Sequence, residues 1–334
     1  MFYGGPAKLP LFLLLVFVEI ALSGDNASVN VKLLEQLSKK WVMLFLTLGV
    51  LIAAGFMRFL FPILIVSLTG HMSFGSALHL ALSNHVAYAA RVEAAHPQIA
   101  VFGGVYLFMI ATTFFVVENT ERHWIPWIER PLSAAGKKIE NLAPIMTIVI
   151  VLALSTLVPS TYEVSVLLAG FISLVSYMTI KSLSDLAQSS EDGLEKAKVL
   201  RTGWAAFGIF MALEAQDAAF SFDGVSGALA ITQDPIIIMC GLGVGALFVR
   251  SMTKHLMDAG KLAEFRFLGH AAFYAILVLA ISQIVSLFVD IPGYAVGTVS
   301  VTIIITGVVH SHILNKREAD NEPAEAEMMS VHTD

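Results

Sequence analysis

Glu214-Ala-Gln-Asp217-Ala-Ala-Phe-Ser-Phe-Asp223-Gly224 puts three carboxylates inside Trp204–Ile231, a run built otherwise almost wholly from Ala, Phe, Gly, Ile, Leu, Met and Val. A charged side chain at bilayer depth costs about 2.5–3.5 kcal/mol on insertion scales, so three together need a physical reason. Glu214 and Asp217 share a helix face, whereas Asp223 lies roughly 240° round from Asp217 at 100° per residue. The three converge only if the helix bends or unwinds, or if Asp223 meets another helix. Phe222-Asp223-Gly224 is the expected break, because Gly relaxes the backbone.

The same phrase stands near the N-terminus. Val18-Glu19-Ile-Ala-Leu-Ser23-Gly24-Asp25-Asn26 overlays Gln216–Gly224, with Glu19 on Asp217, Ser23 on Ser221 and Asp25 on Asp223. Two intramembrane acid–x5–acid segments far apart in one chain read as one element used twice. That is the signature of a transporter built from internal repeats, with its site where they meet.

Composition agrees. The 334 residues are 57% hydrophobic and 14% charged, a balance that excludes an ordinary soluble globule. The formal charge of −6 sits largely in the acidic C-terminal residues and the intramembrane acids, and gives no reason to expect nucleic-acid binding. A single cysteine, Cys240, in an apolar run supports neither a disulfide framework nor a thiolate metal site. Leu9–Ile20 lacks a basic leader and continues into the acidic motif, so it reads as a span and not a cleaved signal.

Taken in order, the apolar runs predict an all-α membrane protein of about nine transmembrane helices. Residues 9–117 form a first repeat with spans Leu9–Val29, Trp41–Leu68 and Gln98–Val117. The stretch 71–97, with His71, His79, Asn84, His85, Arg91, Glu93 and His96, is too polar to face lipid and reads as amphipathic or re-entrant. Residues 118–202 hold a charged surface loop Glu118–Asn141, a helical hairpin (Ala143–Pro159 and Val164–Ile180) and a soluble linker helix Lys181–Arg201. Residues 203–289 form the second repeat, with spans Gly203–Thr232, Ile236–Met257 and Phe267–Val289. A C-terminal helix fills 290–314, and the polar, acidic residues 315–334 are expected to be disordered.

Lys and Arg set the orientation. Glu118–Asn141, Lys181–Arg201, Lys254–Arg266 and Lys316-Arg317 are basic and alternate with basic-free turns near Pro159, Asp234 and Asp290. With the basic loops inside and 71–97 not crossing, the N-terminus lies outside and the C-terminus in the cytoplasm. The two acidic helices then run in opposite directions, which makes two inverted three-helix repeats with a pseudo-two-fold axis in the membrane plane. The second helix of each repeat carries one arginine after a Gly-rich stretch, Arg58 and Arg250, candidate counter-ions to the acids.

At these residues the chain resembles a known family. Glu19…Gly24-Asp25-Asn26 and Glu214-x-x-Asp217-x-x-Phe220-Ser221-x-Asp223 are similar to the two signature motifs of the TerC family of integral membrane proteins. Ser221-Phe-Asp223-Gly224-Val225, with His96-Pro97 and Phe102-Gly-Gly104, looks more like a long branch of that superfamily. The resemblance implies divalent-metal export, notably of manganese, or a part in tellurite resistance, in a bacterial inner membrane. It maps the metal-site acids onto Glu19, Asp25, Glu214, Asp217 and Asp223. Where better-known members have Asp-Ser, this chain has Asp223-Gly224, so one hydroxyl ligand is missing; Ser221 or Asn26 could replace it.

The chemistry points the same way. Carboxylate, amide and hydroxyl oxygens without Cys form a hard site suited to Mn²⁺, Mg²⁺ or Ca²⁺ as substrate. No prosthetic group is called for. An acid that loses its cation in low dielectric takes up a proton, which makes metal/proton antiport the expected coupling. The partners expected are therefore the divalent ion and the lipid bilayer, with a homo-oligomer or membrane partner proteins also open. Set against this, the acids could be internal ion pairs with Arg58 and Arg250 in a non-transporting scaffold for metal or tellurite stress, docking partners through its charged loops. An enzyme is not expected, since neither an aspartyl-protease pairing nor a His-Glu-x-x-His site is present. His79 and His85, six apart, lack helical metal-clamp spacing. Asn26 and Ser23 are as well suited to capping a helix break as to ligation.

Overall fold

The computed structural model describes residues 8–22, 30–31, 33–118, 123–139, 141–189, 200–258, 265–289 and 291–331. Asp25 and Asn26 lie outside the described residues, as do the side chains of Ser221 and Asp223. Within them the secondary structure is helical, with no strand and one isolated bridge between Leu37 and Arg201. Helix α1 is Leu9–Leu22. Helix α2 runs Lys39–Thr69, α3 Phe74–Ser83 and α4 His85–Ala94. Helix α5 is His96–Thr113, prolonged by a π-helical turn Phe114–Glu118. Then come α6 (Pro126–Lys138), α7 (Leu142–Leu157) and α8 (Ser160–Ser189). The last four are α9 (Gly203–Ile231), α10 (Pro235–Asp258), α11 (Leu268–Val285) and α12 (Gly293–Val331).

Six helices among the described residues are long and apolar enough to cross a membrane: α2, α5, α8, α10, α11 and α12, with α6 and α7 a seventh if counted as one bent span. Helix α5 is buried along most of its length, whereas α8 and α12 turn most of theirs outward. Leu168, Ile172 and Val175 on α8 and Ile305 on α12 are more than half exposed, as lipid-facing side chains would be. The chain is therefore an all-helical, multi-pass membrane protein. The interior is apolar on both sides of the bundle. Leu15, Val225, Ile238 and Leu242 lock α1, α9 and α10 together, and Leu107, Ile276 and Ala280 lock α5 to α11.

Three departures from the sequence expectation have local causes. The break foreseen at 222–224 is absent, because α9 is helical without interruption. Gly224 serves close packing instead: a Cβ there would sit 3.3 Å from Glu19 Oε2. The irregular backbone lies in α2, where Ile52–Leu60 is a π-helix. Pro62, just beyond it, offers no N–H and its ring crowds the carbonyl of Arg58, so the wider turn relieves the clash. Residues 315–331, expected to be disordered, continue α12 as far as Val331. Their Ala, Glu, Met and Lys content favours helix strongly enough to carry Pro323 within it.

The segment 118–141, read as a charged surface loop, holds α6, and its Glu129 is fully buried. Glu129 accepts from the backbone N–H of Trp124 and Ile125, both at 3.0 Å, and from Tyr274 Oη at 3.2 Å. His123 Nδ1 and His270 Nε2 stand 3.5 Å from its other oxygen. Each buried donor deprived of its acceptor costs about 1–3 kcal/mol. Glu129→Ala is therefore expected to lower the thermal midpoint in detergent well below that of Glu163→Ala, at the exposed start of α8. Equal midpoints for the two variants would show that Glu129 holds nothing in place.

Candidate functional site

Two acid–arginine centres are buried between the helices. In the first, Glu19 of α1 is 3% exposed and accepts a hydrogen bond from Arg58 Nη2. Arg58, itself 6% exposed, sits in the π-helical stretch of α2, and its Nη1 donates to the Ala53 carbonyl at 2.7 Å. The guanidinium thus bridges the backbone of its own π-helical stretch and the carboxylate on α1.

The second centre joins α9 to α10. Arg250 Nη2 donates to Asp217 Oδ2 at 2.5 Å and to Glu214 Oε2 at 3.4 Å, and Nη1 reaches Glu214 Oε1 at 3.3 Å. The three-residue spacing read from the sequence puts both acids on the α9 face that meets α10. Arg250 also donates to the Phe45 carbonyl at 2.5 Å, and its guanidinium lies 3.9 Å over the Phe45 ring, so it touches α2 as well. Such a stacked, forked contact is beyond lysine.

An amide pair completes the second centre. Asn30 Nδ2 donates to Asp217 Oδ1 at 3.0 Å, and Gln216 Nε2 donates to Asn30 Oδ1 at 3.1 Å. Asn30 is 2% and Gln216 4% exposed. Sequence reasoning passed over both, although a glutamine between two acids in an apolar span was a visible signal.

Each centre leans on a glycine from the other half of the chain. A Cβ at Gly245 of α10 would fall 2.5 Å from Glu19 Cβ. A Cβ at Gly49 of α2 would fall on Arg250 Nη1 and Glu214 Oε1. Small residues there let the backbones close in around the charged groups.

The described side chains thus bring Glu19 to Arg58, and Glu214 and Asp217 to Arg250. Among the described residues no three His, Cys, Asp or Glu side chains gather as a metal cluster. The positions expected of Asp25, Asn26, Ser221 and Asp223 as ligands lie outside what is described. At the opposite end of α9 the turn into α10 carries Asp234, 5% exposed, which accepts from Lys8 Nζ at 2.5 Å and caps α10 through Ile236 N at 3.1 Å. His85, first residue of α4, comes within 4.0 Å of the same carboxylate, which links the polar 71–97 stretch to the α9–α10 turn.

Fold and buried charges define a multi-pass helical membrane protein with ionisable groups in its interior. The chain belongs to the family described as "Protein of unknown function (DUF475)", whose profile matches residues 24–318. No curated protein and no solved structure matches it.

Proposed function

We propose that this protein is a divalent-cation carrier of the bacterial inner membrane that exports Mn²⁺ in exchange for protons. The observation that carries the proposal is the pair of buried acid–arginine centres, each seated on a glycine of the other half. Ionisable groups at such depth are retained for binding or relay. The reciprocal seating fits two inverted repeats, α1–α2–α5 and α9–α10–α11, with N-terminus outside and C-terminus cytoplasmic. Nine crossings follow when α1, α7 and α9 join the six apolar spans. Helix α9, at 29 residues and roughly 43 Å, has the length to cross, and it turns Glu214 and Asp217 onto Arg250 inside the bundle.

Charge bookkeeping gives the coupling. The five motif acids set against Arg58 and Arg250 leave 5 − 2 = 3 negative charges when all are ionised. A divalent ion and one proton balance them. Arriving cation competes with the guanidinium groups for the same oxygens, and departing cation leaves acids to be neutralised by protons before the carrier can reorient. The oxygen-only ligand set favours Mn²⁺, Mg²⁺ or Ca²⁺ over Zn²⁺, and the resemblance to TerC motifs favours manganese.

The test is binding of Mn²⁺, Ca²⁺, Mg²⁺ and Zn²⁺ to purified protein, comparing wild type with Asp25→Asn and Asp223→Asn, followed by uptake into inverted vesicles with and without a proton gradient. Mn²⁺ binding lost in both folded variants, with gradient-dependent uptake in wild type, is the expected result. Binding indifferent to both acids would reduce the carboxylates to structural counter-ions and leave a scaffold.

A further inference from the structure

The axis of α6 turns through 105° into α7, so with α7 crossing the membrane, as proposed above, α6 lies near the membrane plane. Its 13 residues reach roughly 20 Å, short of the ~30 Å hydrocarbon core. One side docks inward: Glu129 and Ser133 are buried, and a Cβ at Gly136 would overlap the Val116 carbonyl at the end of α5. A second arc, roughly 100° wide and centred about 120° from the first, carries Trp127, Arg130, Ala134, Lys137 and Lys138, all exposed, Trp127 to 78%. None of the three cations forms an ion pair among the described residues.

Tryptophan placement marks the same level of the bundle. All four tryptophans of the chain stand at helix starts or just before one: Trp41 in the first turn of α2, Trp124 and Trp127 around the start of α6, and Trp204 in the first turn of α9. Trp41 packs on Phe207 and Phe210 of α9, and Trp124 stacks on Phe267 before α11. On the orientation proposed above these ends all face the cytoplasm. A belt of indoles on one side of a bundle is where headgroups meet acyl chains.

We propose that α6 is an interfacial platform that binds anionic phospholipid headgroups of the inner leaflet. Arg130, Lys137 and Lys138 contact lipid phosphates while Trp127 sits at the acyl boundary. The bonds to Glu129 fix the roll of the helix, so the cationic arc cannot turn into the bundle. In-plane geometry, an exposed indole and unpaired cations together select a bilayer surface over a soluble partner. The inference rests on the inner placement of residues 123–139 and not on which ion the carrier moves, so it can fail while metal binding stands.

The test uses full-length protein in phosphatidylcholine vesicles that contain either brominated phosphatidylglycerol or brominated phosphatidylcholine. Quenching of the Trp127 signal is isolated by difference against W127F. Each cation near an anionic surface is worth about fivefold in partitioning, so wild type should favour brominated phosphatidylglycerol by at least that factor. R130Q/K137Q/K138Q should quench equally with both lipids. Single variants R130Q and K138Q, each expected to lose part of the preference, answer the question if the triple variant fails to assemble. Equal quenching in wild type, or a preference that survives these substitutions, overturns the proposal. Reversal of the preference by excess inorganic phosphate also overturns it, since the site would then be one for soluble anions.

Discussion

Arg250→Met is expected to cost about 3–5 kcal/mol of stability, the usual penalty for leaving buried charge unpaired. Arg250 is the guanidinium for both Glu214 and Asp217, and it also donates to Phe45 O and covers the Phe45 ring. The substitution keeps the volume and apolar stem but strands two carboxylates among apolar helices. Removing the acids as well, in R250M/E214Q/D217N, should recover most of the loss, because amides tolerate burial without a counter-ion. Arg58→Met strands only Glu19 and should cost less. Thermal unfolding in detergent reads all three. A midpoint for Arg250→Met close to wild type, or a triple variant no better than the single, would mean the charges are hydrated and the centre is not sealed.

Gly49→Ala and Gly55→Ala, the same change six positions apart, are expected to move stability in opposite directions. At Gly49 the new methyl falls on Arg250 Nη1 and Glu214 Oε1, groups already fixed by their mutual bonds. Overpacking of this kind costs about 1–3 kcal/mol. At Gly55 nothing lies within 4 Å, so alanine brings only its better helix propensity, up to about 1 kcal/mol in its favour. Gly245→Ala, pressing on Glu19 Cβ and Cγ, should behave like Gly49→Ala. On the proposed carrier function, Mn²⁺ affinity should fall along with stability in the two crowded variants, since Glu214 and Glu19 are among the groups displaced. If Gly49→Ala were as stable as Gly55→Ala, the two halves would not be in the close contact described.

Much of the fold was legible because a bilayer imposes its own arithmetic. Runs of apolar residues set the long helices, and acids within such runs mark buried charge. The spacing of Glu214 and Asp217 gave their common face, and one arginine per Gly-rich helix gave the partners to look for. Other features were hidden for identifiable reasons. Gly224 was read as a hinge because glycine both loosens a backbone and admits a neighbour, and sequence alone does not distinguish the two. The π-helix around Arg58 depends on how a single proline is accommodated, which periodicity does not register. Glu129 looked like one more charge in a polar stretch; its burial comes from Trp124, Ile125, Tyr274 and two histidines, several of them far away in sequence.

The ion pairs also fit the order in which a ribosome delivers the chain. Glu19 meets Arg58 after 39 residues, and Asp217 meets Arg250 after 33. At about 5–20 residues per second each acid waits only seconds for its guanidinium. The glycine that seats Glu19, by contrast, is made in the last third of translation. Each half can thus leave the insertion machinery with its arginine already paired to an acid, and docking of the halves, which adds the Arg250–Phe45 and Asn30–Asp217 bonds, follows as the slower step.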